Sequence, residues 1–197
     1  DAYMFGVRIG KTFKNVSMKP SLTLWYDYLS GTSDADLVAA NPEYKSFNTL
    51  FDTGHKFYGF MDLYLGVGGG GESAGTAGLG LQDLAIKTKF HPMAGWTLKM
   101  DYHWFFVAEG VGANKTRGLS GQVDGCSIAA QCTSALGTGG SNALGNELDI
   151  TLINKYNANT KISFGFSTYT TTAAYRNLRS VVGDSANWAY VQFDVKF

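Results

Sequence analysis

Seven segments of this chain alternate apolar and polar residues, and this pattern limits the possible folds more than any other feature. The clearest begins at Trp96: every second residue through Phe106 is apolar, and the residues between them include Lys99, Asp101 and His103. A period of two residues is that of a β-strand with two different faces. The pattern therefore predicts seven strands, at residues 2–11, 20–30, 81–91, 96–109, 147–156, 161–170 and 188–197.

A soluble sandwich would show the same alternation, so the choice of solvent depends on other features. The predicted strands are longer than the roughly five or six residues usual in globular sheets and suit a tilted bilayer crossing. Only 16% of the residues are charged, against about 25% in soluble domains. Aromatic residues such as Tyr26, Trp96, Trp104 and Tyr156 lie near the strand ends, where lipid headgroups would meet them.

The connections between the predicted strands alternate in length. Residues 14–19, 92–95 and 157–160 form short connections, whereas residues 31–80, 110–145 and 171–187 form long ones. Outer-membrane barrels join their strands by short periplasmic turns and long extracellular loops. The sequence therefore predicts an all-β fold, an antiparallel transmembrane β-barrel or the C-terminal wall of a larger one, with seven to eight strands in a single domain over residues 1–197.

Composition argues against several other classes of protein. No run of about 18 apolar residues is present, which excludes a transmembrane helix. Lys plus Arg and Asp plus Glu both total 16, and this balance gives no support to nucleic-acid binding. Cys126 and Cys132 lie in a Gly-, Ser- and Ala-rich stretch without a nearby His, so we expect a disulfide in an oxidising compartment rather than a metal site.

The charged residues of the polar faces are the candidate functional residues. Charge in lipid costs several kcal/mol, so these side chains should meet water or one another inside the barrel. The acids gather towards one rim and the bases towards the other; the alternative is a salt-bridge network that fills a narrow interior. The predicted pore-lining residues are Arg8, Asp27, Asp83, Lys87, Lys89, Lys99, Asp101, His103, Glu109, Glu147, Asp149, Lys155, Lys161, Asp194 and Lys196.

A hydrolytic site is a competing hypothesis. Asp101 and His103 share one face of a predicted strand, and Ser163 or Ser167 could approach them across the wall. In any pore wall the alternation brings Ser, His and Asp side chains close together without catalysis, so we expect no catalytic residues and no enzyme. We likewise expect no metal and no cofactor.

Residues 47–59, centred on Thr53-Gly54-His55-Lys56, resemble the alginate-export family of outer-membrane barrels. The likeness continues through residues 80–84, 98–105 and 146–150. The resemblance implies a porin-like conduit in the bacterial outer membrane for passive passage or export of hydrophilic solutes such as a sugar polymer. Its expected partners are outer-membrane lipid and the solute or polysaccharide. Of the four arginines only Arg8 falls on a predicted strand, whereas the other three fall in predicted loops, at Arg117, Arg176 and Arg179.

A structural or anchoring barrel, whose long loops bind a partner while its lumen is blocked, is the alternative function. Long loops often carry function or fill a lumen.

The strand count leads to a further expectation. Bacterial barrels have an even number of strands and both termini in the periplasm, and seven strands do not satisfy this rule. We therefore expect residues 1–197 to form the C-terminal part of a larger barrel, with preceding strands absent from this chain or supplied by another chain. An eighth strand at residues 56–65, closing a barrel of this chain alone, is the alternative.

Overall fold

One antiparallel sheet organises the part of the chain that the structure describes. A computed structural model describes residues 1–33, 36, 43–49, 57–64, 76, 78–110, 142–179 and 182–197, and the main chain of residues 115–117 and 123–125. The strands are β1 (Met4–Thr12), β2 (Ser21–Leu29), β3 (Leu81–Phe90), β4 (Trp96–Phe106), β5 (Lys115–Arg117), β6 (Val123–Gly125), β7 (Ala143–Lys155), β8 (Thr160–Thr171) and β9 (Ser185–Val195). Seven of them form a sheet in the order β1-β2-β3-β4-β7-β8-β9, while β5 and β6 form a separate hairpin.

All seven predicted strands are confirmed, but several of their ends were wrong. β4 ends at Phe106 rather than at residue 109, because the amides of Ala108 and Glu109 both donate to the carbonyl of Leu79, which lies outside the strands. β7 starts at Ala143 because the β4–β7 register shifts beside Phe106, which lets the strand continue past the irregularity.

Two predicted loops contain regular structure. Helix α1 (Ala173–Arg179) lies between β8 and β9, so it carries Arg176 and Arg179, and Arg117 lies on β5. The prediction that these three arginines lie in loops was therefore wrong. Among the described residues, no helix is long and apolar enough to cross a membrane.

The register between strands separates the residues onto two faces. Directly paired residues share a face, and the series Val7, Tyr26, Leu84, Trp104 and Asn146 follows one row across five strands. We call this side the apolar face, since its strand centres carry aliphatic and aromatic residues. The other side, the polar face, carries the charged residues of β2, β3, β4 and β7.

Burial across this sheet is the reverse of that in a water-soluble protein. On the apolar face Ile9 is 68% exposed and Phe193 is 66% exposed, whereas on the polar face Asp83 and Glu147 are completely buried. Soluble proteins rarely expose so large an apolar surface and rarely bury carboxylates. Lipid is the solvent that suits the apolar face.

The sheet is open, as expected for part of a larger barrel. Within the described structure β1 pairs only with β2, and β9 only with β8. Residues 57–64 form turns rather than a strand. The alternative of an eighth strand that closes a barrel of this chain alone was therefore wrong.

Two adjacent residues of β4 provide a test of lipid exposure. Met100 lies on the apolar face and is 38% exposed, while Lys99 lies on the polar face and is also exposed. Met100→Lys should lower the free energy of unfolding from lipid vesicles by about 2–4 kcal/mol, the cost of a cation near the bilayer centre. Lys99→Met is the matched control and should change it by much less. Equal losses in the two variants in a denaturant titration would contradict the assignment.

Candidate functional site

The predicted pore-lining residues share one face of the sheet. Register places thirteen of the fifteen on the polar face, within strands β1 to β9. The exceptions are Glu109, which follows β4, and Lys196, which follows β9. The end of the sheet at the connections 13–20, 91–95 and 156–159 is called the short-turn end, and the opposite end is called the long-loop end.

His103 is the centre of a buried polar network on β3 and β4. Its Nδ1 lies 2.9 Å from both carboxylate oxygens of Asp83, and its Nε2 lies 3.2 Å from the Lys87 ammonium. Because an ammonium can only donate, Nε2 accepts and Nδ1 carries the proton that is donated to Asp83. Lys87 also lies 3.4 Å from Asp101. The imidazole of His103 is thus held between the Asp83 carboxylate and the Lys87 ammonium.

The hydrolytic arrangement that the sequence left open is not the one seen. The Ser167 hydroxyl donates to Asp149, a carboxylate on the neighbouring strand. His103 Nε2 faces Lys87 and, at 4.0 Å, Asp149. A nucleophilic serine would need to donate its proton to that nitrogen, and here Ser167 donates to a carboxylate instead.

Arg8, the one arginine on the main sheet, forms an ion pair with Asp27 at 2.6 Å. The Trp25 indole donates to the other oxygen of Asp27, and the guanidinium lies 3.8 Å above the Trp25 ring. A Cβ atom at Gly6 would lie 1.9 Å from a guanidinium nitrogen of Arg8. The glycine therefore leaves the space that the ion pair occupies.

Residues 57–64, here called the inner segment, lie against the polar face. The amide of Met61 donates to Glu147 at 2.8 Å, and the amide of Phe60 donates to Asp149 at 3.3 Å. The Tyr64 hydroxyl bonds that of Tyr169, and burial beside Tyr169 raises the pKa of the Tyr64 hydroxyl well above its usual range. This tyrosine therefore keeps its proton to a higher pH than an ordinary tyrosine does.

The alternation of apolar and polar residues does not predict the inward position of this segment. Its available signal is four aromatic residues in eight positions, which a solvated loop rarely contains. Residues 50–56, the centre of the motif that resembles the alginate-export family, lie outside the described residues, as do Cys126 and Cys132. The disulfide between these cysteines stays a prediction.

An apolar cluster closes the long-loop end of the polar face. Tyr64 and Tyr175 of α1 pack on Tyr169 and Phe105, with ring centroids 4.4–6.3 Å apart. Leu79 and other fully buried residues complete it. Here the sheet has a core on its polar face, formed in part by the inner segment and α1.

The short-turn end is basic and open. Lys89 pairs in register with Lys99, and Lys155 pairs with Lys161. Lys161 bonds Asp194 at 2.7 Å; the other three have no ion-pair partner among the described residues. A groove of about 350 Å³ lies there, lined in part by Lys155, Lys161, Asp194 and Lys196.

No group of three or more acidic, His or Cys residues in the described parts of the chain could hold a metal ion.

The Asp83–His103 contact can be tested by a double-mutant cycle. Asp83→Ala leaves the buried Nδ1–H of His103 without its acceptor, which should lower the free energy of unfolding by about 1–3 kcal/mol. The loss should be smaller in a His103→Ala background, because the donor is then absent. Unfolding in lipid vesicles measures both effects. Strictly additive losses would mean that the two side chains do not stabilise each other.

Comparison with known proteins agrees with this architecture. The family model described as alginate export matches residues 1–188, which include all of β1 to β8. No curated protein matches the chain. The match covers far more than the motif at residues 47–59 and confirms the resemblance seen in the sequence. The chain belongs to the alginate-export family.

Proposed function

We propose that this chain forms part of the wall of a bacterial outer-membrane channel through which a polysaccharide or another hydrophilic solute passes. The observation that carries the proposal is the opposite character of the two faces of one sheet. An exposed apolar face needs lipid, and a charged face in the same sheet needs an aqueous or protein interior. Family membership supports the same function, since the alginate-export family is one of transport proteins rather than enzymes.

The lysines of the short-turn end support passage of anionic or strongly hydrated solutes. Lys89 and Lys99 are exposed and directly opposite each other, which is unfavourable unless water or an anion screens them. These two lysines therefore fit the water-filled mouth of a channel. By the pattern of outer-membrane barrels, short turns face the periplasm, the side from which an exported solute enters.

The open edges support completion of the wall by further strands. Seven strands in an antiparallel meander leave β1 and β9 running in the same direction. An all-antiparallel closure therefore needs an odd number of additional strands between them. Two copies of this chain with the same membrane orientation would also place β9 beside a parallel β1, so different strands fit better than a second copy.

A blocked, anchoring barrel is the second candidate function. The apolar cluster and the inner segment that cover the long-loop end of the polar face favour it. Reconstitution of the full-length protein into planar bilayers separates the two candidates. Stepwise conductance is expected for a channel; a membrane that stays sealed at all voltages would reject the channel and support the anchor.

Lysine substitutions test which face meets the solute. The double variant Lys89→Gln/Lys99→Gln should lower the preference for anions, because two cations leave the mouth. Reversal potentials in a salt gradient measure this preference. Lys11→Gln is the matched control, since Lys11 pairs with Leu22 on the apolar face near the same end. An unchanged reversal potential in the double variant of a conducting protein would contradict a lysine-lined mouth.

A further inference from the structure

Two carboxylates of β7 bind the main chain of the inner segment. Glu147 and Asp149 accept hydrogen bonds from the consecutive amides of Met61 and Phe60. Successive main-chain amides in a turn form a concave binding site for acceptor oxygens. The two carboxylates therefore form one binding site for the peptide backbone of this segment.

Burial separates these carboxylates from any solute that would pass along the wall. Glu147 is 0% exposed and Asp149 is 2% exposed. Gly59, directly before the bound amides, has a φ of +80°, and a Cβ atom there would lie 2.5 Å from a carboxylate oxygen of Glu147. The main chain approaches Glu147 so closely that only glycine fits.

Aromatic contacts hold the segment on both sides of this anchor. Phe60 stacks on Tyr190 of β9 with 8° between the rings, and Phe57 contacts Trp25 of β2. Tyr190 in turn lies over Gly165, where a Cβ atom would be 1.9 Å from its ring. The inner segment thus reaches across the polar face from β2 to β9.

We infer that Glu147 and Asp149 are positioning residues, which hold residues 57–64 as a strap across the polar face instead of contacting the transported solute. The strap connects β2 with β9. It also determines the width of the space that remains free beside it on the polar face. The effect on width depends on the proposed channel function, but the anchoring itself does not.

Hydrogen exchange of the full-length protein, followed by mass spectrometry, measures the anchoring directly. Glu147→Ala should accelerate exchange of the amides of residues 57–64 by about tenfold, because the hydrogen bond from the Met61 amide to a buried acceptor is lost. Glu147→Gln should have a smaller effect, since its amide oxygen still accepts. Gly59→Ala should accelerate the same amides by forcing the segment away from Glu147.

Asp101→Ala is the matched control: it removes a carboxylate of the same face that contacts Lys87, and residues 57–64 should exchange as in the wild type. Wild-type exchange of these residues in both Glu147→Ala and Gly59→Ala, with β7 and β8 still protected, would overturn the inference. If Glu147→Ala exposes every strand, the fold is lost, and the Gly59→Ala and Glu147→Gln results decide.

Channel recordings distinguish this inference from the channel proposal. In a conducting protein, Gly59→Ala should raise the unitary conductance above that of the wild type. If no variant conducts but exchange follows the expected pattern, the strap is supported and the channel is not.

Discussion

The antiparallel register of the main sheet is the constraint on which the other features depend. A shift of one residue between β3 and β4 would move Lys99, Asp101 and His103 to the side that faces lipid. Each charge would then cost several kcal/mol. Almost every strand carries a charged residue that would meet this free-energy cost. The charged residues therefore determine the strand register as strongly as the apolar residues do. The alternation is thus both a membrane signal and a register signal.

The charges that the register gathers on the polar face require partners of their own. A buried carboxylate without a hydrogen bond is far more costly than an unpaired surface charge. Arg8 satisfies Asp27, and His103 satisfies Asp83. For Glu147 and Asp149 part of the solution comes from the main chain of a loop. The wall and the inner segment therefore stabilise each other: without the segment two acids would lose donors, and without the acids its amides would lose acceptors.

The strands could be predicted from the sequence because in each one apolar residues, which suit lipid, alternate with polar residues, which suit the interior. The same alternation placed Lys99, Asp101 and His103 on one face before any pairing was known. The ends of β4 and β7 could not be predicted, because they depend on a contact with Leu79 and on a local register shift. The inner segment also escaped prediction. Its position depends on Tyr190 and Glu147, which are more than 80 residues away along the chain, and a loop has no periodicity that records such partners.

Burial changes what the balanced charge of this chain means for a solute. Counted from the sequence, Lys plus Arg equals Asp plus Glu, which suggests an interior without preference. In the folded wall, however, Asp27, Asp83, Glu147 and Asp149 are buried, while Lys89, Lys99 and Lys155 remain exposed on the same face. A field in water depends on the charges that water and solutes can approach. The part of the polar face that remains accessible is therefore basic, although the residues that build it are not in excess.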